Sequence, residues 1–256
     1  MVLGFVLSVA AVVCDALALL FIGTTTIGVL GCMAIPINVF VSRFLLYEEI
    51  KSNEKIYIAV ITLGCVTSLV TTQPHEPIET FIRFSKPETA VYITGVWLFS
   101  AILVVASYLS EKREAQLLSL GVVSGIMGSQ FVSMGKYLLD LTWLIRNDMV
   151  LPPRLQIIGV IFILSVSLPL QIITLNKSLE KFNATHSVAI FQCTWCVLNV
   201  VQGMVIFGDM ENATAVQTVV FFFGFVLTCA GIVGLSKQIG AESRSYSVHN
   251  PSSTDF

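Results

Sequence analysis

Between Leu155 and Leu175 the chain reads LQIIGVIFILSVSLPLQIITL, 21 residues without a charge. A bilayer core of about 30 Å is crossed by a helix of roughly 20 apolar residues, so this stretch is read as a membrane span. Working outward, windows of the same kind recur at about 2–22, 26–47, 56–72, 90–109, 115–136, 185–207 and 214–236. The expected fold is therefore all-α, a polytopic membrane bundle of about eight transmembrane helices occupying residues 1–236.

Composition points the same way. Of the 256 residues 55% are hydrophobic and 12% charged, where a globular chain carries about 25% charged residues; the mean hydropathy is +0.85. With 14 basic and 16 acidic residues and a net charge of −2, there is no basic stripe for nucleic acid to follow. The six cysteines fall inside apolar runs, where thiols act as small hydrophobes. Cys193 and Cys196 form a lone C-x-x-C pair with no second ligand pair beside it, which is weak grounds for a metal. No catalytic triad, nucleotide-binding or zinc motif is present, and His75, His186 and His249 are scattered. The reading is a non-enzyme with no cofactor.

The longest connections, Thr72 to Thr89 and Asp140 to Arg154, contain Pro74, Pro77, Pro87, Pro152 and Pro153 and are expected to lack regular helix. After Lys237 the chain turns polar, and residues 237–256 are expected to be a disordered cytoplasmic tail. Lys and Arg are more frequent on the side holding Arg43, Lys51, Lys55, Lys112, Arg113, Lys177, Lys181, Lys237 and Arg244 than on the side holding Arg83, Lys86, Lys136, Arg146 and Arg154. The first side is read as cytoplasmic, with both termini on it. Asn183-Ala-Thr185 and Asn212-Ala-Thr214 match the glycosylation triplet, and the last three residues, Thr254-Asp255-Phe256, match a sheet-edge ligand; both are weak signals. The chain enters its first apolar window straight from Met1, unlike a signal peptide, which reads as a missing upstream segment.

An offset of 160 places Thr25 on Thr185, Glu49 on Asp209 and Gly64 on Gly224, each at the same position relative to two consecutive apolar helices. Helix 2 and helix 7 of the prediction are five spans apart, so the copies have opposite topology. Inverted repeats are the construction of alternating-access carriers, whose substrate site lies near the midplane between the halves.

An ionisable residue inside a span costs about 2.5–3.5 kcal/mol on insertion scales and is a functional candidate by default. Asp15, deep in the first window with Ser8 and Ile22 on its face, is the candidate metal ligand or proton acceptor. The competing reading is a carboxylate satisfied by a neighbouring helix or by Lys136. The fifth window carries Gly121, Ser124, Gly125, Gly128, Ser129, Ser133 and Gly135, a small-residue stripe that suits either helix packing or a cavity wall. Lys136 ends that window, where its stem can snorkel to the interface; a gating ion pair is the alternative. Asn38, Gln130, Gln171, Gln192, Asn199 and Gln202 add amides at membrane depth, each of them more often helix glue when taken singly. Together with Ser129, Gln130, Ser133 and Lys136, the residues Asn38, Gln171 and Asn176 are the candidates for a solute or ion pathway. Glu48, Glu49, Asp209 and Glu211 lie at helix ends and are candidate gate or anchoring residues.

The segment Gln171 to Asn183 (QIITLNKSLEKFN) with Val188 resembles the most recognisable segment of the NIPA-type magnesium transporters of the drug/metabolite transporter superfamily. Leu30-Gly31 to Ser42, then Phe44 to Glu48 and Lys55, is similar to the matching region of that family's first half, with Gly64, Gly224 and Lys136 in register. The resemblance covers nearly the whole chain and implies paired five-helix repeats that move Mg2+ or related divalent cations in the plasma or endosomal membrane. It also implies a helix before Met1 that has no counterpart here, and an acidic residue at the position of Val12, with Asp15 one turn on. The partners expected are thus the transported ion and the lipid bilayer; a homo-oligomer is admitted. Two rivals stay open: an organic-solute carrier of the same superfamily in which Lys136 holds an anionic group, and a non-transporting membrane scaffold derived from a carrier.

Overall fold

The computed structural model describes residues 18–19, 22–46, 52–71, 77–110, 112–147, 153–182 and 184–249. In chain order these form α1 (Thr24–Cys32), α2 (Ala34–Leu46), α3 (Ser52–Leu69), α4 (Pro77–Phe84), α5 (Pro87–Leu109), α6 (Arg113–Arg146), α7 (Arg154–Lys181), α8 (Ala184–Gln202), a π-helical turn (Gly203–Phe207) and α9 (Ala215–His249). Among the described residues no strand occurs. Among the described residues, five helices are long and apolar enough to cross a membrane: Pro87–Leu109, Ala115–Arg146, Arg154–Lys181, Ser187–Phe207 and Ala215–Gln238.

The molecule is apolar outside and polar within. Leu155 and Phe162 on α7, Val91 and Leu98 on α5 and Val216 and Phe223 on α9 are exposed, while Ser124, Ser129, Gln130, Ser133, Lys136, Asn199 and Gln202 are buried. In water this arrangement would leave a very large apolar surface unpaid by any partner; lipid is the solvent that satisfies it. The chain is an integral, multi-pass membrane protein of the all-α class.

Several boundaries depart from the expected ones, for physical reasons. The window 26–47 is two helices broken at Met33. Pro36 has no N–H for the Cys32 carbonyl four residues back, and its ring crowds that oxygen, so the helix restarts. The connection from Thr72 to Thr89 is not irregular: it contains α4, and Pro77 and Pro87 are the first residues of α4 and α5. Proline suits the first helical position, where its missing N–H has no intrahelical partner and its φ is already helical. α6 does not stop at Lys136 but continues ten residues to Arg146. α9 runs to His249, so the boundary expected at Lys237 is not a helix end. Most of the first window lies outside the described residues.

The two repeat copies meet at their equivalent positions. α3 and α9 run antiparallel and cross where a Cβ on Gly64 would lie 2.6 Å from the Gly224 carbonyl oxygen, and a Cβ on Gly224 would lie 2.6 Å from that of Gly64. The contacts are reciprocal around this point: Gly64 abuts Thr228 and Gly224 abuts Ser68, and residues 68 and 228 are again 160 apart. The Ser68 hydroxyl donates to the Phe221 carbonyl at 3.1 Å and that of Thr228 to the Gly224 carbonyl at 3.0 Å. Antiparallel packing of repeat-related helices at the same residue is what opposite insertion of two copies produces. Val29, Cys32, Ile61, Cys65, Cys196 and Phe221 close one core around this crossing, with the buried thiols free. A second core joins α6 to α4, α5, α7 and the π turn, and includes the Phe84–Tyr137 ring stack with centroids 3.8 Å apart.

An interior polar seam as the candidate functional site

α6 brings Ser129, Ser133, Lys136 and Asp140 onto one face, because steps of four, three and four residues stay within a narrow arc of a 3.6-residue helix. All four are buried, Lys136 with 0% and Asp140 with 3% of its surface exposed. The Lys136 ammonium lies 2.9 Å from Asp140 Oδ1 and donates to the Leu19 carbonyl oxygen at 2.6 Å. Neither snorkelling nor a helix-end position describes this lysine: it stands a full ten residues inside α6, paired with a carboxylate one turn on. A lone buried charge is costly, and an i,i+4 ion pair with one further hydrogen bond lets both charges remain in the bundle.

α8 supplies the opposite wall. Gln202 Oε1 accepts a hydrogen bond from the Ser133 hydroxyl, and Gln202 Nε2 donates to Ser129 Oγ at 3.4 Å. Asn199, one turn earlier, donates its Nδ2 to the Trp195 carbonyl at 2.8 Å. Its Oδ1, both side-chain polar atoms of Gln130 and the hydroxyls of Thr24 and Thr25 are buried without a hydrogen-bond partner. Buried amides and hydroxyls are normally satisfied, which makes these atoms candidates for contact with water or a solute.

The other predicted residues divide. Gly121, Gly125 and Gly128 let α6 approach α8 at Ile190, Thr194 and Trp195, which is the packing reading, and Gln171 lies against Gly128 as well. Gln192 binds the Gly31 carbonyl at 3.0 Å and serves as glue between α8 and α1. Asn176 is exposed on α7. Asn38 falls within α2, and nothing further is described of its side chain. Asp15, Glu48 and Glu49 lie outside the described residues, so the candidate metal ligand of the first window is not placed. The described residues contain no group of three or more His, Cys, Asp or Glu side chains suited to a metal.

Asp209 does stand at a helix end, though not its own. After the π turn, Gly208 takes φ +69°, the left-handed conformation glycine adopts without strain, and swings Asp209 onto the start of α1. The Thr25 N–H donates to Asp209 Oδ2 at 2.9 Å, which satisfies an orphan donor and places a negative charge at the positive end of the helix. Beside it Arg83 of α4 pairs with Glu211. One end of the bundle is thereby tied together across the repeat boundary. Asp209→Ala is expected to lower stability by about 1 kcal/mol through loss of the cap, measured by chemical denaturation of the purified chain in detergent. Arg83→Gln is expected to cost less, since Glu211 is 58% exposed and surface pairs contribute about 0–1 kcal/mol.

Sequence reasoning missed Asp140. The signal was there, an acid four residues after Lys136 inside the apolar run YLLDLTWLI, but ending the span at Lys136 assigned it to a connection.

Residues 2–239 match the magnesium transporter NIPA family. The chain is 20% identical over 254 residues to the probable magnesium transporter NIPA3 of Arabidopsis thaliana, covering 96% of this chain and 68% of that protein. It is 21% identical over 237 residues to the magnesium transporter NIPA4 of Homo sapiens, covering 90% of this chain and 57% of that protein. No solved structure matches.

Proposed function

Because the chain belongs to the magnesium transporter NIPA family, we propose that it is a multi-pass carrier that moves Mg2+ or a related divalent cation by alternating access, with the seam between α6 and α8 as its pathway. The observation that carries this reading is the Asp140 carboxylate held at 3% exposure inside an otherwise lipid-facing bundle. The Leu19 carbonyl holds its partner Lys136, and further along the same seam, about two to three helical turns from Asp140, stand the hard oxygens of Ser133, Ser129 and Gln202. Mg2+ takes oxygen ligands, keeps several waters and is bound through one or two carboxylates, so one acid with neutral oxygens suits a partly hydrated ion. The reciprocal Gly64–Gly224 crossing supports a pair of inverted halves able to rock against each other. The excess of Lys and Arg on the side holding both termini supports placing them in the cytoplasm, and the family resemblance supports the plasma or endosomal membrane as the carrier's location.

An organic-anion carrier would need Lys136 as a free cation, and its ammonium is already engaged by Asp140 and Leu19. The test is competition in sealed proteoliposomes holding the whole chain. Saturable Mg2+ uptake inhibited by Mn2+ and indifferent to organic anions is the expected result. Uptake of organic anions unaffected by divalent cations would replace the reading with its rival, and no flux of either would favour a scaffold.

A further inference from the structure

We propose that the Lys136 ammonium is a tethered stand-in for the transported cation: it occupies the cation's own position between Asp140 and the Leu19 carbonyl, and cargo binds by displacing it. The inference rests on the carrier reading above and adds to it the place of the ion and the means of its release.

The geometry is that of a small cation site already filled. Lys136 Nζ sits 2.9 Å from a carboxylate oxygen and 2.6 Å from a main-chain carbonyl oxygen, at 0% exposure. Both partners are hard oxygens of the kind a divalent ion takes. On the same face, one turn earlier, Ser133 and Gln202 form a second polar station toward which the flexible four-carbon stem can withdraw.

The charge arithmetic explains why a lysine belongs there. With Lys136 in place, the Asp140 charge is balanced by its neighbour and the carrier can reorient without a naked Asp140 carboxylate in the bilayer, which would be costly. When a divalent ion takes Asp140, the displaced ammonium is a like charge at close range and pushes toward release. Conduction and transport both require a site favourable enough to enter and weak enough to leave. A neutral residue at 136 should therefore bind cargo too well.

The test separates binding from transport. The purified full chain in detergent is titrated with Mg2+, and in parallel Mn2+, while the thermal unfolding midpoint is followed, since a ligand that binds only the folded state raises it in a concentration-dependent way. Lys136→Met is expected to respond at a Mg2+ concentration lower than the wild type by about tenfold or more, the scale of removing one close like charge from a partly buried site. Lys136→Arg, which keeps the charge, is expected to respond no more tightly than the wild type, and Lys136→Met combined with Asp140→Asn to lose the response. If Lys136→Met folds only when Mg2+ or Mn2+ is present during purification, that dependence supports the proposal; failure to fold with either ion overturns it. A folded Lys136→Met with no tighter response than the wild type, or a double variant that keeps the response, also overturns it. A wild type that carries no Mg2+, alongside a Lys136→Met chain that gains Mg2+ binding, would defeat the carrier reading and leave the cation site standing.

Discussion

Asp140→Ala is expected to destabilise the folded bundle by about 3–5 kcal/mol, the scale observed when one member of a buried ion pair is removed and the other is left uncompensated. The survivor is Lys136, which has 0% exposure and retains only the Leu19 carbonyl as its described partner. It stands ten residues from the end of α6, about 15 Å along the axis at 1.5 Å per residue, too deep for easy escape to the interface. The expected outcome is a lower unfolding midpoint in detergent and a smaller folded fraction on size exclusion. Removing both charges together, by Lys136→Met with Asp140→Ala, is expected to restore most of the loss, because the penalty arises from the unpaired charge and not from the missing contact.

The second large effect is expected at the crossing of the two copies. Gly64→Leu would drive a side chain into backbone: its Cβ alone would stand 2.6 Å from the Gly224 carbonyl oxygen and 2.7 Å from the Thr228 nitrogen. Main-chain atoms of a neighbouring helix cannot turn aside as a flexible side chain does, so α3 and α9 must separate along their length. A loss of about 3 kcal/mol or more is expected, at the upper end of the range for overpacked cores. Gly224→Leu should act alike, because the contact is reciprocal. Gly95 of α5 is the control: nothing lies within 4 Å of a Cβ there, and Gly95→Ala is expected to stabilise the helix by up to about 1 kcal/mol. Equal effects at Gly64 and Gly95, measured by thermal unfolding, would remove the case for a tight inter-repeat crossing.

What could be read from the chain alone follows from where the information is local. An uncharged run such as Leu155 to Leu175 declares a span because the bilayer imposes one length and one polarity on any helix that crosses it. The Gly64–Gly224 correspondence was legible because an inverted repeat repeats its sequence pattern, and the structure brings those two glycines into contact. The seam was half legible. Ser129, Ser133 and Lys136 stood out as polar residues in apolar surroundings, and the structure places them on one face of α6; Asp140 was lost with the helix boundary drawn ten residues too soon. Boundaries fail where two rules compete, and a charged residue at the end of an apolar run looks the same whether it marks the interface or is paired one turn further on.

Proline misled in a related manner. Pro77 and Pro87 interrupt a helix when interior and favour it when first, and only position within the element decides between them. Pro36 acted the other way, splitting an apolar window that hydropathy reads as continuous. Long-range partners were not legible at all. Nothing near Asp209 in sequence indicates that it caps α1, 184 residues away, and nothing near Arg83 points to Glu211. These contacts depend on how the two halves are inserted, which composition does not record.

The most direct measurement is Mg2+ uptake into sealed proteoliposomes by the whole chain, set beside Asp140→Asn at matched folded protein. A carrier that uses Asp140 as the ligand in its seam will show saturable uptake in the wild type and background uptake in the variant. Saturable uptake undiminished in a folded Asp140→Asn chain would contradict it.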